Sequence, residues 1–312
     1  IMVKILKLPE LCTDAELKTI KGEFIDEEWI HHIINEDCDI FDDNDKFILS
    51  FRKKKLKNVK VGWDNYHKMA SASRGRGASA GPVDPNNAYW KKRTLIKTSG
   101  YSTSYLVNGK PSKMRVNNHV FSNPIGYYDK TKNMGNNLPC RLTSFTQKHI
   151  DKFNAGLPYL QEIAECYCEL NPEAYHKQLD RAKLKPEFKI TDTPFSTITI
   201  NRNFRTALHQ DAGDFGGVAC LSVLEEGQYN GGLFTIPRFG IGVNLREGDI
   251  LIADVHQYHS NTELWTTTSQ DEYNKKNGKT IKENIAVGTA GIDYNFTRIS
   301  FVCYLREKMI NC

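Results

Sequence analysis

His209-Gln210-Asp211 places an imidazole and a carboxylate two residues apart. In an extended segment, residues i and i+2 project to the same side, so both groups can reach one metal ion. A second histidine would complete a two-histidine, one-carboxylate set, which leaves open positions on a non-haem ferrous ion. Two histidines compete for that place, His256 and His259, both just after the apolar run from Gly248 to Asp254. Spacing alone leaves the choice open. Nearer the C-terminus, Arg298-Ile299-Ser300 lies on the apolar run from Phe296 to Leu305. On a strand Arg298 and Ser300 face the same way, so a guanidinium fork and a hydroxyl can hold one carboxylate. Arg306 is a weaker second candidate for that anchor. A lone HxD pair arises often by chance, and a lone arginine is more often an ordinary ion pair. Their weight comes from occurring together.

These groups need rigid elements to position them. After Pro194 the chain reads as short apolar or alternating runs, Phe195 to Ile200, Val218 to Leu224, Gly232 to Ile236, Ile241 to Leu245, Asp249 to Ala253 and Ile299 to Leu305, broken by glycine-rich turns. That rhythm predicts an antiparallel sandwich or barrel. Upstream, Thr143 to Lys183 predicts two packed helices, with Thr146 as a cap and a break at Gly156-Leu157-Pro158. Thr13 to Asn35 predicts one or two short helices, and Asn108-Gly109 a hairpin turn. Residues 71–87 form a Ser, Gly, Arg and Pro-rich loop, and residues 266–293 a polar insertion between strands.

The chain has 312 residues, enough for one large β-rich domain with added helices or for two ordinary domains. No apolar run reaches the roughly 18 residues of a membrane span, and the N-terminal residues do not form a signal-peptide core. The eight cysteines include no CxxC pair, so they read as reduced thiols of an intracellular protein, nuclear or cytoplasmic, of cellular or viral origin. The net charge of +5 is mild, but Arg52 to Lys60 and Arg74 to Arg76 concentrate it in clusters able to face phosphates.

Taken in order, HxD, Gly231-Gly232, Gly248-Asp249, a histidine before Ser260-Asn261, and Arg-x-Ser resemble the motif set of 2-oxoglutarate oxygenases with a double-stranded β-helix core. More narrowly, Pro194 to Asp214 resembles the TET/JBP family, whose members oxidise the 5-methyl group of thymine or 5-methylcytosine in nucleic acid. The likeness continues through Pro139 to Phe145, Gly156 to Gln161, Asp254 to Asn261 and Arg298 to Arg306. It is nearest to a viral and algal branch that includes an enzyme using vitamin C. The resemblance implies an α+β chain with a jelly-roll, cupin-like core over residues 136–312 and an N-terminal extension over 1–135 packed on it. It also implies His259 as the third ligand, so that His209, Asp211 and His259 hold Fe(II). The co-substrate 2-oxoglutarate would be anchored on Arg298 and Ser300 with Asn203 or Asp214 as orienting groups. O2 is the oxidant, and ascorbate is a possible further co-substrate.

A base stacked in a duplex cannot reach a buried metal, so a DNA substrate would be flipped out or single-stranded. Arg74, Arg76, Lys91, Lys92 and Arg93 are the candidate phosphate contacts, and Tyr89, Trp90 and Phe215 the candidate stacking groups, with Asp214 beside them. The alternatives are a prolyl or lysyl hydroxylase with the same metal set, or an inactive nucleic-acid-binding homologue.

Overall fold

A computed structural model of the chain describes residues 3–73, 76–85, 90–133, 136–267, 272, 275–276 and 296–312. Arg74, Tyr89 and most of the polar insertion over 266–293 lie outside the described residues.

A large sheet carries the molecule. Its strands run, in spatial order, Lys4–Leu8, Cys38–Asp42, Phe47–Arg52, Ile250–Asp254, Val218–Glu226, Thr297–Tyr304, Thr197–Arg202, Val120–Tyr128 and Arg141–Leu142, with Ala72–Ser73 also on Val120–Tyr128. All pairs are antiparallel except the first. A smaller sheet, Ser260–Asn261, Phe234–Ile236, Ile241–Val243 and His32–Ile34, covers one part of it. The sheet draws strands from both sides of residue 135, so the N-terminal part continues the core sheet.

Alternation separates two packed layers. Along Val218–Glu226, Ala219, Leu221 and Val223 face the small sheet and meet Phe234, Ile236 and Val243. Cys220 and Leu224 face the opposite way, with Ile198, Ile200, Ile252, Ile299, Phe301 and Cys303, onto Tyr159, Leu160, Ile163 and Tyr167 of the helix Leu157–Leu170. Tyr159, fully buried, donates its hydroxyl to Ser222 Oγ at 2.8 Å, so its polar end is satisfied within the core.

The helical region contains four helices, Ser144–Lys148, Ile150–Ala155, Leu157–Leu170 and Pro172–Lys183. Thr143 caps the first, its Oγ1 accepting from Thr146 N at 3.3 Å, which displaces the expected cap by one turn. Gly156 breaks the run where expected. Within Thr13 to Asn35, the helix Asp14–Thr19 is capped by a Thr13/Glu16 box, but Glu27–Trp29 makes only a single 3-10 turn and the rest becomes the strand His32–Ile34. Asn108 and Gly109 take φ of 50° and 74°, the left-handed pair that a two-residue hairpin needs. The helix Val59–Tyr66 has no clear sequence signal, and glycine in its middle lets it lie against Tyr159.

The reading of all cysteines as free thiols is corrected: Cys140 and Cys312 form a disulfide, with Cα atoms 5.7 Å apart and a sequence separation of 172. Folding brings the C-terminal turn Glu307–Asn311 back to the sheet edge, a proximity that no local pattern reveals. No described helix is long and apolar enough to cross a membrane.

Two outcomes are expected. Thiol titration of the denatured, unreduced chain gives six groups, Cys12, Cys38, Cys166, Cys168, Cys220 and Cys303, rising to eight after reduction. Gly62→Ala lowers stability although alanine favours a helix by about 1 kcal/mol. Its Cβ would lie 2.8 Å from Tyr159 Cδ1 and 3.1 Å from Leu224 Cδ2. Overpacking costs about 1–3 kcal/mol, so thermal denaturation shows a lower Tm rather than a higher one.

Candidate metal and co-substrate site

The two ends of the metal-ligand set are locked by backbone pairing. His209 N donates to His259 O at 3.0 Å and His259 N to His209 O at 2.9 Å, a reciprocal antiparallel pair. Opposed residues of such a pair send their side chains to one face, and here the ring centroids are 4.3 Å apart. Asp211 N donates to Val255 O at 3.0 Å, bringing the carboxylate to the same side. The Nε2 atoms of His209 and His259 stand 3.8 and 3.4 Å from the Asp211 carboxylate oxygens. One ligand atom from each of the three residues lies within 4.8 Å of the others.

The tautomers are fixed as well. His209 Nδ1 bonds to Ala207 O at 2.7 Å and His259 Nδ1 to Gln257 O at 2.9 Å. A carbonyl only accepts, so both Nδ1 atoms carry hydrogen and both Nε2 lone pairs are left for a cation. Phe234 stacks on His259 at 5.5 Å and holds its ring. His256 is turned elsewhere, its Nε2 donating to Asp214 O at 2.9 Å.

The electrostatics suit a cation. Burial, with His259 adding to it, pushes the His209 imidazole down to about 4, so it stays neutral and able to ligate. Burial alone would raise the Asp211 carboxyl, but the hydrogen bond from His259 and the fields of both histidines outweigh it and hold the group below the usual carboxylate range. His259 feels burial lowering it and is nonetheless raised by its bond to Asp211. The Asp211 carboxylate thus faces both imidazoles, and a divalent cation held by the three groups would take over that pairing. Two neutral-capable imidazoles and a carboxylate, all on one face, fit Fe(II).

The three groups open onto a cavity of about 330 Å³ whose wall includes Arg298, Ser300, Asn201, Thr199, Tyr128, Tyr304 and Arg306. Arg298 is 2% exposed. Among the described residues its Nε has no partner, and its only side-chain bond is a long one, 3.4 Å, to Gly232 O. Glu225, opposite it in register, spends its carboxylate on Tyr229 and on Glu247 N. Among the described residues no carboxylate pairs with Arg298, and a buried guanidinium without an anion is costly. The site therefore fits a carboxylate brought by a ligand.

Asn203, at a φ of 44°, fixes Arg298 from behind: its Oδ1 accepts from Arg298 N at 2.7 Å and its N donates to Arg298 O at 2.9 Å. Asn203 is not part of the cavity wall, whereas Asp214 is. Arg76 turns into the cavity, Lys91 and Lys92 are exposed, and Arg93 lies over the Tyr105 ring at 4.2 Å. Trp90 is 8% exposed and packs near Tyr105, while Phe215 lies under the Arg181 guanidinium, outside the wall. Sequence reasoning passed over Asn201, Phe234, Tyr128 and Tyr304. The period-two alternation with Ser300 and its neighbours is the signal that marks Asn201 and Tyr304.

Comparison with known proteins agrees with this arrangement. The profile of the Tet_JBP family, the oxygenase domain of the 2OGFeDO superfamily, matches residues 123–307. The thymine dioxygenase JBP1 of Leishmania infantum is 38% identical over 151 residues, 48% of this chain and 18% of that protein. JBP1 of Leishmania major is 37% identical over 224 residues, covering 68% and 26%, and the bifunctional helicase and thymine dioxygenase JBP2 of Trypanosoma cruzi is 33% identical over 189, covering 60% and 15%. The chain thus spans about a quarter or less of these relatives. NgTET1, solved in complex with 5mC DNA, shares the fold, with a TM-score of 0.52 at 10% identity over 98% of this chain and 83% of that one. The chain belongs to the Tet/JBP family of 2-oxoglutarate- and Fe(II)-dependent oxygenase domains.

Proposed function

We propose that this chain hydroxylates the 5-methyl group of a pyrimidine base in DNA, thymine first and 5-methylcytosine second, using Fe(II), 2-oxoglutarate and O2. One observation carries the reading: the His209, Asp211 and His259 cluster and the buried Arg298, which meets no carboxylate among the described residues, line a single cavity. The substrate class follows the relatives, which are thymine dioxygenases.

In this reading His209 Nε2, His259 Nε2 and one Asp211 oxygen would hold the iron, at which O2, the oxidant, would be activated for breaking a methyl C–H bond. Arg298 and the Ser300 hydroxyl take the far carboxylate of 2-oxoglutarate, converting an uncompensated buried cation into a paired one. Ascorbate, an enediol lactone, has no carboxylate to offer them, so the anchor favours the keto acid. Asn203 keeps Arg298 in place through its backbone. Tyr128, Tyr304, Arg306 and Asp214 also line the cavity and offer aromatic and polar groups to a flipped base. The exposed Lys91 and Lys92 are phosphate contacts at the surface.

The test is aerobic incubation of the Fe(II)-loaded chain with 2-oxoglutarate and oligonucleotides carrying thymine or 5-methylcytosine, followed by nucleoside mass spectrometry. Wild type makes a hydroxymethyl nucleoside and succinate, and His209→Ala, Asp211→Ala and His259→Ala make neither and lose iron. His256→Ala retains iron. Succinate without any altered nucleoside would move the substrate to protein or a small molecule. Arg298→Gln raises the 2-oxoglutarate concentration needed for half-maximal rate by roughly 10- to 100-fold, the worth of a charge-assisted bond. Arg298→Lys recovers little of it, because an ammonium lacks the fork.

A further inference from the structure

Three strands bring Ser122, Asn201 and Ser300 into one row, Asn201 lying directly opposite Ser122 on one side and Ser300 on the other. Hydrogen bonds run along that row from its outer end. Arg76 Nε donates to Ser122 Oγ at 2.6 Å, Ser122 Oγ donates to Asn201 Oδ1, and Asn201 Nδ2 donates to Ser300 Oγ at 3.1 Å. Ser122 is fully buried and Asn201 is 6% exposed, so neither can turn to water instead.

The direction of this chain is forced. A guanidinium has donors only, so Ser122 must accept from Arg76 and pass its own hydrogen onward. The acceptor it meets is the Asn201 oxygen, which leaves the Asn201 amino group facing Ser300. Ser300 therefore receives a hydrogen from behind, and its own O–H is free to point into the cavity. A hydroxyl that donates is what an incoming carboxylate requires. If the Asn201 amide were reversed, Ser300 would donate to it and present only lone pairs to the anion.

We infer that Arg76 is a positioning residue for the co-substrate: acting through Ser122 and Asn201, it sets the Ser300 hydroxyl as a donor to the far carboxylate of 2-oxoglutarate. The inference rests on the functional reading above. Arg76 and Ser122 lie outside the matched residues 123–307, so the device is built partly from this chain's N-terminal region.

The test measures 2-oxoglutarate binding to the Mn(II)-loaded full chain by ligand-dependent thermal stabilisation, alongside KM and kcat of the Fe(II) form. The keto acid 2-oxobutyrate, which lacks the far carboxylate, serves as the control ligand. Ser122→Ala weakens 2-oxoglutarate binding and raises its KM about 3- to 10-fold, the loss of one neutral hydrogen bond, while 2-oxobutyrate binding and kcat hold. Asn201→Asp weakens 2-oxoglutarate more, because a carboxylate draws the Ser300 hydrogen to itself. Placed in a Ser300→Ala background, Ser122→Ala has no further effect, since the two act as one unit. Equal weakening of both keto acids, or full additivity with Ser300→Ala, reduces Ser122 to a structural role and overturns the inference while leaving the oxygenase reading intact. A wild type that binds both keto acids equally removes the carboxylate anchor itself, and the inference with it.

Discussion

The reciprocal backbone pair between His209 and His259 is the constraint on which the site depends. Two segments about fifty residues apart in sequence meet there, and the pairing geometry brings both imidazoles to one face. Each ring is then held by a carbonyl two residues before it in the chain, Ala207 for His209 and Gln257 for His259. Ala207 is itself tied down, its N donating to Ser79 O, and Leu208 exchanges backbone bonds with Gly22 and Glu23. The N-terminal segments thus brace the strand that carries the first ligand, although they contribute none of the three.

Alternation in the large sheet does the rest. Cys220, Leu224, Ile299, Phe301 and Cys303 turn to the helices and form a dry layer, so Arg298, Ser300, Val302 and Tyr304 necessarily turn to the cavity. A one-residue slip of the Thr297–Tyr304 strand would bury the guanidinium among the helices and put Phe301 in the cavity. The apolar layer against Leu157–Leu170 is therefore what fixes the register of the polar one. Stability and site geometry share this register.

Much of the arrangement was legible because it is periodic. The i, i+2 spacing of His209 with Asp211 and of Arg298 with Ser300 is a strand property, and the glycine-broken apolar runs after Pro194 do become strands within a residue or two. The choice between His256 and His259 was not legible from spacing, because it turns on which residue faces His209 across a non-local pair. The same reason hides the Cys140–Cys312 link and the continuation of the core sheet into Cys38–Asp42 and Phe47–Arg52. Trp90 and Phe215 show a different limit: an aromatic side chain announces that it will pack, but its neighbours decide against what.

What the folded chain leaves unsatisfied is then informative. Most buried polar groups here have partners, as Tyr159 and Ser122 do. The Arg298 Nε lacks a partner among the described residues while Asn203 holds its backbone from behind, and the His209 and His259 rings are each held through Nδ1 with Nε2 turned to Asp211. Groups left over by poor packing have no reason to be braced so fully or to share one cavity. Among the described residues no carboxylate meets Arg298, and the Asp211 carboxylate faces two imidazoles, so a dianionic keto acid and a divalent cation would each supply a charge of the sign its part of the cavity calls for.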